Sequence, residues 1–111
     1  MLSPSVRPKQ PVKISDPAVY GARVRLDEYT KLLQSRLRDY WSADTRLDRT
    51  LAFIEVEVAA KLIQSGASEL NMRLLPHGVR HEVELEVKRR TVGLDKARLD
   101  HESRFGPIPT A

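Results

Sequence analysis

The sequence predicts an α+β fold: a two-helix hairpin packed on an antiparallel β-hairpin, a short C-terminal helix, and extended arms at both ends. Two long stretches repeat their apolar residues at helical spacing, a later stretch alternates apolar and charged residues, and prolines are concentrated near the two ends. A chain of 111 residues fits one domain. We place this domain at 16–105, between a basic, proline-rich arm at 1–15 and an extended tail at 106–111.

The first predicted helix begins with Asp16 as its N-cap and Pro17 at its first position, two residue types favoured there. Its apolar residues recur at steps of three or four and form one stripe along the helix: Val19, Ala22, Leu26, Tyr29, Leu33, Leu37 and Tyr40. Gly21 costs about 1 kcal/mol relative to alanine in a helix, so a start near Arg23 is the alternative.

The second predicted helix begins at Ser42 or Asp44 and ends at Gly66, because glycine is common just past a helix C-terminus. It carries two neighbouring apolar stripes, one of Leu47, Leu51, Ile54, Val58 and Leu62 and one of Ala52, Val56, Ala59 and Ile63. Together they are too wide for one partner helix, so we expect them to face a sheet, another subunit, or both. We assign Val56, Ala59 and Ile63 to the contact between copies. The alternation within 53–58 leaves a strand as the alternative there.

The predicted β-hairpin turns at His77 and Gly78, because tight hairpins need a residue that accepts positive φ. A two-residue turn pairs Arg73 with Glu82, whereas a four-residue loop would set Arg73 opposite Arg80, and this favours the shorter turn. The face predicted to cover the helices holds Val79, His81, Val83, Leu85 and Val87. The opposite, solvated face holds Glu82, Glu84 and Glu86.

A two-stranded ribbon is only marginally stable by itself. It therefore needs strands from another copy or a helix packed across it. A short, weakly amphipathic helix is predicted from Gly93 to Arg104, and Leu94, Ala97 and Phe105 are expected to contact the rest of the domain.

The composition is that of an ordinary soluble protein, with 41% hydrophobic and 31% charged residues. Cysteine is missing, which fits a reducing compartment, and the apolar runs fall short of the ~20 residues of a membrane span. We therefore expect a location in the cytoplasm, or in a particle assembled there, and no membrane partner. The net charge of +4 arises largely in the arm, whose charged residues are Arg7, Lys9 and Lys13.

The sequence offers little for catalysis, a cofactor or a metal. His77 and His81 have a spacing that suits zinc on a helix, but across a turn and a strand their rings need not converge. Carboxylates two residues apart on a strand lie ~7 Å from each other, yet without a cleft or an acid partner they form only a charged face. A nucleophile elbow and a glycine-rich phosphate loop are both missing. We therefore expect no enzymatic activity, no cofactor and no metal.

The sequence thus predicts a non-enzymatic structural or interaction subunit of a larger assembly, of the virion-like, ring or shell kind. Its partners would be copies of itself and other assembly subunits. Arg7, Lys9 and Lys13 are expected to contact a neighbour, with Glu82, Glu84 and Glu86 as the receiving surface. The alternative is backbone-directed binding of nucleic acid through the arm and Lys88, Arg89 and Arg90.

Overall fold

A computed structural model describes residues 16–74 and 80–106, and the side chains of 80–82 are excluded from that description. The described part of the chain folds into four helices: α1 at Pro17–Ser42, α2 at Arg46–Leu74, α3 at Arg80–Arg90 and α4 at Leu94–Phe105. α1 and α2 form an antiparallel hairpin. α3 and α4 then run alongside α1 in the same direction, so the molecule is a three-helix arrangement whose third helix is interrupted at 91–93.

α1 begins where the sequence predicts. The Asp16 carboxylate accepts a hydrogen bond from the backbone N–H of Ala18 at 2.9 Å, and Pro17 stands in the first turn. The alternative start near Arg23 is therefore wrong. The predicted stripe is confirmed as the face that α1 buries, with Tyr29 half-buried at its middle.

α2 is longer than predicted. Thr45 caps it, because its hydroxyl accepts a hydrogen bond from the backbone N–H of Asp48 at 3.0 Å. The helix interpretation of 53–58 is confirmed, and the helix continues through Gly66 to Leu74. Gly66 does not end the helix. A Cβ atom at Gly66 would lie 3.3 Å from both Leu26 Cδ1 and Tyr29 Cδ2, so this glycine allows α1 and α2 to approach closely.

The predicted β-hairpin, and with it the α+β fold class, is wrong. Residues 16–74 and 80–106 contain no strand, and the second predicted strand lies largely in α3. The alternating stretch also contains a helical pattern: Val83 and Val87, four residues apart, pack together against the core. Leu85, two residues from each, is left exposed. The Glu, Leu, Lys and Arg residues of α3 are strong helix formers. The packing of the valine pair and the intrinsic propensity of these residues therefore both favour a helix here. The predicted turn at His77 and Gly78 lies outside the described residues.

α4 confirms the prediction for the C-terminal segment. Leu94 and Ala97 are buried and Phe105 is half-buried. The break between α3 and α4 depends on Gly93, whose φ of 93° is one that residues with a Cβ rarely adopt. This break lets α4 pack under the α1–α2 hairpin. Among the described helices, none combines the length and the apolar character needed to cross a membrane.

Candidate interaction surface

The side of α2 that faces away from the core is apolar. Four residues of the first predicted stripe lie there, separated by four, three and four positions, and so fall on one side of the helix. We call them the outer face; their exposed fractions are 67% for Leu47, 50% for Leu51, 43% for Ile54 and 51% for Val58. Leu62, which continues the stripe, is half-buried. The outer face thus presents a continuous apolar stripe to solvent over about three helical turns.

Ion pairs within the chain border the outer face on both sides. Arg36 of α1 binds Glu55 at 2.8 Å, and Arg98 of α4 binds Glu57 through two hydrogen bonds of 2.7 Å. The hydrogen bonds that Arg98 donates to the Glu57 carboxylate raise the pKa of its guanidinium. Glu55 and Glu57 are therefore each held against a neighbouring helix. The result is an apolar centre with a polar border, the usual organisation of a protein interface.

The second predicted stripe lies in the core. Val56, Ala59 and Ile63 are each 0% exposed and belong to the cluster enclosed by α1, α2 and α4. Those three residues were predicted to contact another copy, and contact through their side chains would require α1 and α2 to separate. The face of α2 available to a partner is the one formed by Leu47, Leu51, Ile54 and Val58.

The predicted acidic row does not form a row in α3. Residues two positions apart on a helix point in different directions, whereas on a strand they share a face. Glu84 is exposed, while Glu86 is half-buried and binds both Arg89 and Arg90. Partial burial opposes ionisation of Glu86, but the hydrogen bonds from Arg90 and Arg89 outweigh it and lower the pKa of the carboxyl. The side chain of Glu82 lies outside the description.

One residue of the basic stretch at the end of α3, Arg90, is tied to α1. Arg90 donates hydrogen bonds to Asp27 at 2.8 Å and to the Thr30 hydroxyl at 2.9 Å, and it also pairs with Glu86. Its side chain is only 15% exposed. Lys88 is exposed. The arm residues Arg7, Lys9 and Lys13, like the ring of His77, lie outside the described residues, as does the His81 side chain.

A partly buried polar cluster links α1 and α4, and Arg49 of α2 lies 3.5 Å from its Asp100 carboxylate. The Tyr40 hydroxyl donates to Asp100 at 2.7 Å, and Asp100 also receives Arg104 at 2.8 Å. Burial, followed by the hydrogen bond to Asp100, raises the pKa of Tyr40 to about 12. Hydrogen bonds from Arg104 and Tyr40 lower the pKa of Asp100. The hydrogen bond from Tyr40 to Asp100 thus joins α1 to α4.

His101 completes this cluster on its apolar side. Its ring stacks on Phe53 at 4.6 Å between centroids and lies 3.3 Å from the Thr50 hydroxyl. Burial lowers the pKa of the ring, and the nearby guanidinium of Arg46 adds to this effect, whereas Asp100 opposes it. Sequence reasoning missed this residue. The signal was present, since His101 follows Leu94 and Ala97 at helical spacing on the buried side of α4.

An open groove lies between α1 and the turn that joins α3 to α4. Trp41 and Val92 line it, and its volume is about 550 Å³. The ammonium group of Lys96 stands 5.5 Å above the Trp41 ring, so part of the aromatic surface is already covered from within the chain. The outer face of α2 carries four exposed aliphatic side chains on one helix, whereas the groove exposes Trp41 and Val92.

Comparisons of this chain with protein-family models, with curated proteins and with solved structures find no match.

Proposed function

We propose that this protein is a non-enzymatic interaction subunit of a larger protein assembly, and that the outer face of α2 is its contact surface. The observation that supports the proposal is the exposure of Leu47, Leu51, Ile54 and Val58, which lies between 43% and 67%. Single exposed leucines are common in monomers, but a continuous apolar stripe bordered by polar residues is typical of a protein interface.

Full burial of a Val, Leu or Ile side chain contributes about 1.5–3 kcal/mol, and each residue of the outer face retains roughly half of its exposure. Burying the exposed part of all four side chains against a partner would therefore contribute a binding free energy of several times the thermal energy. The fold of the protomer does not need these four residues of α2 in its core, because the opposite side of α2 already contributes to the core. The outer face therefore has a use that the isolated protomer does not supply.

The contacts of the arm belong to this proposal only as a prediction from the sequence. The sequence predicts that Arg7, Lys9 and Lys13 contact a neighbouring subunit, but the acidic strand face predicted to receive them is replaced by helix α3. Arg90, one of the three basic residues of α3 proposed for nucleic acid, is engaged by Glu86 and Asp27, whereas Lys88 and Arg89 are exposed.

Site-specific photocrosslinking in cells that make the protein tests the proposal. A benzophenone side chain in place of Ile54 is expected to form a discrete protein adduct. The matched control carries the same group in place of Lys31, which is 76% exposed on the solvent side of α1. A second substitution, Leu51→Lys, should remove the Ile54 adduct, because it places a charge in the centre of the stripe.

Two results would contradict the proposed contact surface. One is the same adduct pattern from positions 31 and 54, which would indicate random collision. The other is an Ile54 adduct that survives Leu51→Lys while circular dichroism shows the variant to be folded.

A further inference from the structure

The outer face of α2 has the same spacing in both directions. Its separations are four, three and four residues, so reversing the helix leaves the pattern unchanged. A two-fold axis midway between Leu51 and Ile54 would place Leu47 opposite Val58 of a second copy, and Leu51 opposite Ile54 of that copy. Interfaces with two-fold symmetry require self-complementary surfaces of this kind. Separations of three and four residues are also those at which paired helices interdigitate.

The charges at the two ends of the outer face obey the same symmetry. Asp44 stands three residues before Leu47, and Lys61 stands three residues after Val58. Both are exposed, and neither forms an ion pair with a residue whose side chain the structure describes, that is, within 16–74 or 83–106. Asp44 lies in the turn just before α2, which begins at Arg46, and the two positions are equally far in sequence from the axis between Leu51 and Ile54. An antiparallel pair therefore brings the turn that carries Asp44 of each copy close to Lys61 of the other.

If the outer face is a contact surface, as proposed above, we infer that its partner is a second copy of this chain. The two α2 helices pack antiparallel about an axis between Leu51 and Ile54, and two Asp44–Lys61 ion pairs fix their register. A parallel pair would instead set Asp44 against Asp44 of the second copy and Lys61 against Lys61, and like charges oppose that arrangement.

The border of the outer face is compatible with the antiparallel pair. The two-fold axis places Asp48 of one copy near Glu55 of the other, which alone would be unfavourable. Arg36 binds both Glu55 at 2.8 Å and Asp39 at 3.1 Å, so part of the Glu55 charge is already offset within the protomer. On the other side, Glu57 is neutralised by Arg98 and faces the uncharged Thr50 of the second copy.

The size of the surface indicates the strength of the dimer. A standard interface buries about 800 Å² on each partner, and four half-exposed side chains supply only part of that area. Residues of the border, such as Arg36 and Arg98, have to contribute the remainder. We therefore expect a dimer that dissociates on dilution rather than an obligate one.

Sedimentation equilibrium on the full chain over a range of concentrations tests the inference. The wild-type protein should pass from monomer to dimer as concentration rises. Asp44→Lys and Lys61→Asp should each weaken the dimer roughly tenfold, because each converts two attractive pairs into two repulsive ones. The double variant should recover wild-type affinity. Glu28→Lys, with the same change in charge on the solvent side of α1, is the matched control and should have no effect.

Mixing the wild-type protein with an isotopically labelled double variant determines the orientation by native mass spectrometry. Antiparallel packing predicts that the two proteins form separate homodimers. A mixed dimer would bring two carboxylates together at one end of the contact and two ammonium groups together at the other. Mixed dimers that outnumber homodimers would overturn the antiparallel register.

A wild-type protein that stays monomeric at every concentration would overturn the second copy as partner. In that case the crosslinking result separates the two proposals: an Ile54 adduct with a different protein would leave the outer face as a contact surface, whereas the lack of any adduct would remove both. Thermal melting of each variant, followed by circular dichroism, controls for loss of fold.

Discussion

The two faces of α2 have similar hydrophobic character and opposite surroundings. The inner face is enclosed by α1 and α4, and Val56, Ala59 and Ile63 on it are inaccessible to solvent. The outer face carries two leucines, an isoleucine and a valine, yet remains about half exposed. Hydrophobicity alone therefore does not determine which side of this helix forms the core.

The size of the side chains does separate the two faces. Small residues recur along the buried side of α2, at Ala59, Ala60, Gly66 and Ala67. They leave room for the large buried residues of α1, such as Leu26 and Leu33. The four positions of the outer face hold only large aliphatic side chains. Close approach of two helix backbones within the chain is thus specified on one side only, and the other side suits a looser contact between separate molecules.

The largest difference between the faces should appear when the same residue is shortened on each. Ile63→Ala empties a fully buried site and should lower the free energy of unfolding by about 2–5 kcal/mol. Ile54→Ala removes a side chain that is 43% exposed and should change it by no more than about 0.5–1 kcal/mol. Urea unfolding at a protein concentration low enough to exclude dimers measures both.

Equal losses from the two substitutions would show that the outer face is covered within the chain. The matched residue type removes any difference in transfer free energy, so such a result would contradict the assignment of the two faces directly.

A smaller effect should distinguish the inner face through pH. His101 packs on Phe53 of that face, and burial holds the pKa of its ring below the usual value. Because the unfolded chain binds the proton more readily, the stability contributed by the neutral ring is complete above the unfolded pKa of about 6.5. It is lost as pH falls from there through the lowered folded pKa.

The test of this pH dependence compares the wild-type protein with His101→Gln by chemical unfolding at pH 7 and at pH 5. The wild-type protein should lose more stability than the variant over this interval. Asp100 also titrates in the acid range, but it is present in both proteins and cancels in the comparison. An identical loss in the two proteins would contradict the role of His101.

Much of the fold could be predicted because helical spacing, the Asp16 cap and composition agree along α1, and helical spacing also indicates α4. The buried stripe from Val19 to Tyr40 is an example. The prediction failed for α3 because its sequence satisfies two periodicities at once. Alternation selects Val83, Leu85 and Val87 together, while the helix uses only the two valines and exposes the leucine. The choice between the two depends on contacts with α2, which one sequence does not show.

The candidate site was partly predictable for a related reason. Both stripes of α2 were visible in the sequence, and so was the need for more cover than one helix gives. The prediction that Val56, Ala59 and Ile63 contact a partner does not take into account the small residues next to them, which allow α1 to pack closely on this side of α2. The register proposed for the dimer needed the structure as well, because only the structure shows that Glu55 and Glu57 are engaged while Asp44 and Lys61 are exposed.

The smallest expected effect compares two helical glycines, one on a close helix contact and one not. At Gly21 an added Cβ would meet only the end of the Arg25 side chain, at 3.5 Å, so Gly21→Ala should stabilise the protein by about 0.5–1 kcal/mol through helix propensity. At Gly66 the same atom would lie 3.3 Å from Leu26, which is fully buried and cannot move aside. The propensity gain is then cancelled or reversed, and Gly66→Ala should not raise the melting temperature. Equal stabilisation by the two substitutions would mean that α1 and α2 do not depend on small residues for their approach, and the distinction between the inner and outer faces by side-chain size would fail.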